Sequence, residues 1–112
     1  MVEPTINNRR SAVRMPLRVP ASVELPGGAL RDASTLDIGP AGLSLVCARP
    51  ISPGTRCTVR LELPLPGGAQ QVALPARSVH SSYTGPSAFK IGLAVGPLDA
   101  EQERMIQAFM AS

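Results

Sequence analysis

The residues best suited to chemistry in this sequence are arginines near its start. Arg9, Arg10 and Arg14 lie in the stretch "RRSAVR". Guanidinium groups are planar forks that bind phosphate through two parallel hydrogen bonds and stack on flat rings. Two or three of them together therefore favour a ligand that contains both phosphates and purines. The R-x-x-x-R spacing alone is a weak signal, because it occurs often by chance.

A second feature is the stretch "TLDIGPAGLSL", in which Asp37 precedes a turn that contains Gly39 and Gly42. A carboxylate accepts hydrogen bonds from a pair of N–H groups, such as N1 and N2 of guanine. Glycines permit a positive φ and a close approach to the backbone. The same residues also suit a plain hairpin in which Asp37 bonds its own turn. Taken alone, the turn does not distinguish these two roles.

Groups for catalysis are scarce. The only histidine, His80, falls on a presumed strand, where a lone histidine is more often structural or solvent-facing than catalytic. Cys47 and Cys57 have neither zinc nor redox spacing, so we predict buried, reduced thiols. The glycine pairs precede strands rather than helices, which argues against a phosphate loop. The sequence therefore predicts no enzyme, no catalytic residue, no metal site and no cofactor.

The positive charge is concentrated in one short arm. The first 18 of 112 residues contain four arginines and one glutamate, whereas the other 94 contain seven bases and seven acids. Such an arm suits an anionic small molecule, a nucleic-acid backbone or an anionic membrane surface. Aromatic residues make up only 3% of the chain. Their scarcity disfavours stacking on single-stranded nucleic acid, so no nucleic-acid polymer is predicted as a partner.

Targeting signals are not evident in the sequence. No apolar stretch reaches the roughly 18 residues that a membrane span needs. The start, "MVEPTINNRR", lacks the apolar core of a signal peptide. We therefore expect a cytoplasmic protein with no membrane span.

The spacing of apolar residues predicts about six short strands and a final helix. Alternation is clearest in "VPASVEL", "TRCTVRLELP" and "FKIGLAV", whereas "ALRDASTLDI" predicts two pieces bent near Asp32 or an edge strand. "QVALPARSVHSS" predicts a long strand whose Pro75 favours an edge or a bulge, and "YTGPSA" a loop. Asp99 and Gln102 form a capping box at the start of the helix. These elements indicate a small antiparallel barrel or sandwich.

The arm and the turn together resemble the signature of the PilZ domain family. That signature is an R-x-x-x-R arm followed by [D/N]-x-S-x-x-G, and here "RRSAVR" precedes "DIGPAG". The later "FKIGLAV" and "LDAEQERMIQAF" are similar to the end of such a domain. The resemblance implies an all-β, six-stranded antiparallel barrel with a C-terminal helix over about 99–111. Residues 1–18 would form a flexible, arginine-rich arm, and residues 19–112 the barrel.

The resemblance also implies the ligand, the bacterial second messenger cyclic di-GMP. The residues it assigns to the ligand are Arg9, Arg10, Arg14, Asp37, Gly39 and Gly42. Gly39 stands where the family pattern has serine. The lost hydroxyl removes one hydrogen bond of about 0.5–1.5 kcal/mol, or roughly two- to tenfold in affinity. "RMPLR" offers Arg14 and Arg18 as a second pair, but we prefer Arg10 and Arg14, because Arg9 completes R-R-x-x-x-R.

The function implied is a cyclic di-GMP receptor that orders its arm on the ligand and signals through protein–protein contact. Its protein partner is unidentified, with motility, pilus or biofilm machinery as the expected setting. An alternative is a degenerate adaptor that binds a protein without nucleotide, which Gly39 favours. A nucleic-acid-binding barrel is the third possibility, and the neutral charge of the remaining chain argues against it.

Overall fold

The computed structural model describes residues 13–112, which form seven strands and one helix. Residues 1–12 lie outside the described part of the chain. In chain order the elements are β1 (Met15–Pro16), β2 (Pro20–Glu24), β3 (Leu30–Ile38), β4 (Gly42–Cys47), β5 (Arg56–Leu65), β6 (Gly68–Gly85), β7 (Ala88–Val95) and α1 (Ala100–Ala111).

The strands close into a ring. Their order is β1-β3-β2-β5-β6-β7-β4, every pairing is antiparallel, and β4 also pairs with β3. Strands β2 to β7 therefore form a closed barrel, and β1 is a two-residue addition beside β3. Closure removes the exposed sheet edges that promote aggregation. The predicted six-stranded antiparallel barrel with a C-terminal helix is confirmed.

Aliphatic side chains fill the barrel because the strands alternate. On β5, for example, every second residue from Cys57 to Leu63 is buried. Most of the largest fully buried side chains come from the strands: Val23, Ile38, Leu43, Leu45, Val59, Leu63, Leu74 and Ile91. Helix α1 buries Met105, Ile106 and Phe109 in the same core.

Helix α1 begins at the predicted capping box. The Asp99 carboxylate accepts from the Gln102 backbone N–H at 2.7 Å, and the Gln102 carbonyl oxygen Oε1 accepts from the Asp99 N–H at 2.9 Å. Gln102 also donates through Nε2 to the carbonyl of Ala73 on β6, at 2.8 Å. Gln102 therefore both completes the capping box and holds the helix against the barrel wall.

The last part of the predicted arm, residues 13–18, is a defined segment that we call the arm root. Leu17 is only 3% exposed, and its N–H donates to the carbonyl of Leu36. The buried Thr35 hydroxyl donates to the Leu17 carbonyl at 2.5 Å and accepts from the Val19 N–H at 3.0 Å. The prediction of an exposed arm is therefore wrong for Leu17. Leu17 continues, upstream of Val19, the alternation of apolar residues that predicted the first strand, so the sequence did contain a signal for its burial.

Strand β3 differs from its prediction. It is one continuous strand between β2 and β4, not an edge, and its irregularity lies at Leu36 rather than at Asp32. Its apolar alternation is weak because none of residues 30–34 is buried and because the bulge at Leu36 reverses the two faces of the strand.

Strand β6 is longer than predicted. It runs for 18 residues and includes the first half of the expected "YTGPSA" loop, whose last residue begins β7, so that only Pro86 and Ser87 lie between the two strands. Pro75 pairs with Thr58 on β5, but the pairing of β6 with β7 begins only at Ala76, so Pro75 has a strand partner on one side alone, as the predicted edge position would. Its carbonyl accepts from the Gly96 N–H just after β7 has ended at Val95. The missing N–H of Pro75 therefore faces a side where no strand partner requires it.

Both cysteines are buried and unpaired, as predicted. Burial raises the pKa of the Cys47 thiol, and the charge of Arg31 partly opposes that rise. Burial also raises the pKa of Cys57, with a smaller contribution from Cys47. Among residues 13–112, no helix has the length and apolar character needed to cross a membrane.

Candidate ligand-binding site

The predicted arm arginine and the predicted turn acid meet on the outer wall of the barrel. Nη1 of Arg14 donates to Oδ1 of Asp37 at 2.8 Å and to the Ser44 hydroxyl at 3.3 Å. The Arg14 and Asp37 side chains are 40% and 31% exposed, so solvent screens the pair. Pairs of this kind contribute about 0.2–1 kcal/mol. The two charges are therefore positioned by one another and remain accessible to a ligand.

A bulge in β3 turns Asp37 toward this outer wall. Thr35 pairs with Leu45, and Asp37 pairs with Ser44, so two steps along β3 match one step along β4. In a regular strand Thr35 and Asp37 would share a face. The extra residue, Leu36, reverses this, so that Thr35 stays buried inside while Asp37 faces out.

Gly39 and Gly42 make room for the arm root. A Cβ at position 42 would stand 2.5 Å from Nη2 and 3.0 Å from Cζ of Arg14. A Cβ at position 39 would stand 2.9 Å from Cδ of Arg14 and would also collide with the Val13 carbonyl. Neither glycine adopts a positive φ. Their shared property is therefore the absence of a side chain beneath Arg14, not an unusual turn conformation.

The departure from the family motif at Gly39 now has a local cause. A serine at this position would bring a Cβ into the Val13 carbonyl and the Arg14 side chain. Contacts below 3.0 Å do not persist, so the arm root would have to move. The arm root can therefore lie this close to the turn only because residue 39 is a glycine.

The structure brings together four of the six predicted site residues, namely Arg14, Asp37, Gly39 and Gly42. The other two, Arg9 and Arg10, lie outside the described residues. Arg18, the alternative arm residue, is exposed between β1 and β2, and none of the ion pairs found within residues 13–112 includes it. Arg14 is a member of both candidate arginine pairs.

Sequence reasoning did not assign Ser44 to the site. Ser44 is buried beneath Arg14, although it points away from the core. A polar residue in the otherwise apolar strand "GLSLVC", two positions after Gly42, was the available signal.

Two other observations limit what kind of site this can be. Across residues 13–112, no group of three or more His, Cys, Asp or Glu side chains is arranged to hold a metal ion. A groove of about 640 Å³ between β2, β5 and β6 includes none of the predicted site residues. The candidate site is thus an open, charged patch on the barrel wall.

A closed antiparallel barrel with a C-terminal helix and an arginine docked on a glycine turn defines a class of small β-barrel domain. The sequence model of the PilZ domain matches residues 8–112, and the chain belongs to the PilZ domain family. This family comprises binding and adaptor proteins and relates the chain to cyclic di-GMP receptors.

Two solved structures have the same fold. One is the Bacillus subtilis inhibitor of motility MotI/DgrA, with a TM-score of 0.73 and 15% identity over 88% of this chain. This chain spans about half of that protein, 48% of its length. The other is the PilZ domain of CeSA from a cellulose-synthesizing bacterium, with a TM-score of 0.65 and 21% identity over 89% of this chain and 98% of that domain. Comparison with curated protein sequences gives no match.

Proposed function

We propose that this chain is a cytoplasmic receptor for cyclic di-GMP that signals by protein–protein contact. The single observation that supports the proposal most is the meeting of Arg14 with Asp37 across the Gly39–Gly42 turn. These residues come from the two halves of the family motif, 23 positions apart in sequence. Their proximity supplies one donor fork and one acceptor on the same accessible patch.

The binding mechanism is an exchange of partners. In the free protein Arg14 and Asp37 satisfy one another. A cyclic di-GMP phosphate accepts from the Arg14 guanidinium, and the N1 and N2 groups of a guanine donate to the Asp37 carboxylate. The exchange is favourable because the broken pair is a weak, solvent-screened one. Arg9 and Arg10 add positive charge, so the ligand orders the arm on the barrel, and the new surface binds the partner.

Isothermal titration calorimetry tests this proposal with Arg14→Ala, Asp37→Ala and Arg10→Ala. A hydrogen bond to a charged group contributes about 1.5–3 kcal/mol, so each variant should bind roughly ten- to hundredfold more weakly. Arg60→Ala is the matched control, because Arg60 forms an ion pair of the same 2.8 Å length with Glu24 elsewhere on the surface. It removes the same charge and should leave the affinity unchanged.

The outcomes separate the receptor from its site. Absence of binding by the wild type at tens of micromolar ligand would exclude the receptor function. Normal binding by Arg14→Ala and Asp37→Ala would leave a receptor whose site is elsewhere. If Arg60→Ala weakens binding as much as Arg14→Ala does, only the net charge of the protein attracts the nucleotide.

The second candidate function is an adaptor that binds its protein partner without nucleotide. The observation that favours it is the internal pairing of Arg14 with Asp37, together with the arm root packed on Gly39. A partner would be expected in motility, pilus or biofilm machinery. A pull-down with and without cyclic di-GMP distinguishes the two functions, because only the receptor requires the nucleotide.

A further inference from the structure

A row of four paired residues crosses the outer wall beside the arm root. Asp37 on β3 pairs with Ser44 on β4, Ser44 pairs with Gly92 on β7, and Gly92 pairs with His80 on β6. Directly paired residues of antiparallel strands place their side chains on the same face. The row therefore begins under Arg14 and ends at His80, on one continuous surface.

The His80 ring lies over its neighbour in this row. The point where a Cβ of residue 92 would stand is 2.7 Å from Nδ1 and 3.1 Å from Nε2 of His80. Only glycine leaves that space to the ring. Because β7 lies between β6 and β4, a ring above Gly92 is turned toward Ser44 and the arm root.

The surface between Asp37 and His80 has a flat central area, which we call the floor, and positively charged residues at its edge. Small residues form the floor, and basic residues extend from the same face of β6 and β7. The floor consists of Gly42, Ser44, Gly92 and Ala94, and the basic residues are Arg77 and Lys90. Arg14 lies over Gly42 and Ser44, and the His80 ring lies over Gly92, so a flat anionic ligand on this surface would contact these two side chains rather than the strands beneath them.

We infer that His80 is a base-stacking residue of the cyclic di-GMP site, at the opposite end from Arg14. The inference rests on the proposed function. Neighbouring strands lie about 4.8 Å apart, so three spacings separate Asp37 from His80 by roughly 14 Å. A ligand with two bases and two phosphates can place one guanine at Asp37 and extend across the floor toward the imidazole. Histidine rings stack on purines in many nucleotide sites.

Calorimetry with His80→Ala tests the inference, using Ser82→Ala as the control. Ser82 is exposed on the same strand and faces the same side. Stacking of one base accounts for about fivefold or more in affinity, so His80→Ala should lose at least that factor. Ser82→Ala should bind normally, and His80→Phe, which keeps a flat ring, should recover to within about threefold of the wild type.

A second readout uses the fact that the chain has one histidine. Its Hε1 proton gives a single NMR resonance, which should shift on addition of cyclic di-GMP because of the guanine ring current. Gly92→Ala should lift the ring and weaken binding in the wild type, but it should have no effect in the His80→Ala background.

Each result has a definite meaning. If the wild type binds while His80→Ala binds equally well and the Hε1 resonance does not move, the stacking role is wrong and the receptor function stands. If Gly92→Ala weakens binding equally in both backgrounds, the floor itself and not the ring contacts the ligand, which also overturns the inference. If the wild type does not bind, the receptor function falls and the inference falls with it.

Discussion

Replacing Gly39 by serine restores the family motif and should destabilise this protein. The new Cβ would stand 2.9 Å from Cδ of Arg14 and would overlap the Val13 carbonyl. One of the two atoms it meets is backbone, so the arm root must move away from the turn. Movement of Arg14 breaks its ion pair with Asp37 and its hydrogen bond to Ser44.

The size of the destabilisation follows from these two broken interactions. The exposed ion pair contributes about 0.2–1 kcal/mol and the hydrogen bond about 0.5–1.5 kcal/mol. Without them the free energy of unfolding falls by about 1–2 kcal/mol. For a domain of this size that corresponds to a fall in Tm of roughly 4–8 °C.

Thermal unfolding followed by circular dichroism measures this effect, and Gly85→Ser is the matched control. A Cβ at Gly85 meets no atom within 4 Å, and its φ is not positive. Gly85→Ser should change the free energy of unfolding by less than about 0.5 kcal/mol. In an Arg14→Ala background Gly39→Ser should cost less, because the ion pair and the hydrogen bond are already absent. A wild-type Tm for Gly39→Ser, or an undiminished cost in that background, would refute the docking of Arg14 on Gly39.

Three further predictions concern the fold. Thr35→Val keeps the shape of a buried side chain but leaves the Leu17 carbonyl without its donor, so the free energy of unfolding should fall by about 1–3 kcal/mol in urea titration. Asp99→Ala removes the N-cap of α1 and should cost about 1 kcal/mol, measured in the same way, with little change in nucleotide affinity. The raised pKa of Cys47 and Cys57 means that the unfolded chain loses its thiol protons at lower pH than the folded one. Stability should therefore decline as pH rises above about 8.5, and the double alanine variant should show a weaker decline across that range.

Local patterns predicted the elements whose structure is determined locally. Strand β5 follows from strict alternation, and α1 follows from Asp99 and Gln102, because capping geometry involves only residues three apart. Asp37 and Arg14 were predicted as site residues from the motif, and the structure places them in contact.

The remaining features depend on register between distant strands. The outward direction of Asp37 requires the bulge at Leu36, which exists only in the pairing with β4. The position of His80 above Gly92 arises from the pairing of β6 with β7, across a further bulge between Ser78 and His80. A single sequence does not encode these registers in any local pattern, so His80 appeared as an isolated histidine.

Anchoring the arm root has a consequence for affinity. Thr35 and Leu17 fix the chain just before β2, and Arg14 is docked beside them. Arg10 is four residues from Arg14, so covalent geometry keeps their Cα atoms within about 14 Å. Under the proposed receptor function, a nucleotide held at Asp37 would encounter Arg10 as a tethered group, at an effective concentration of the order of millimolar or above. The second arginine contact is then intramolecular, and lengthening the chain between Arg10 and Arg14 with inserted residues should weaken it gradually rather than abolish it.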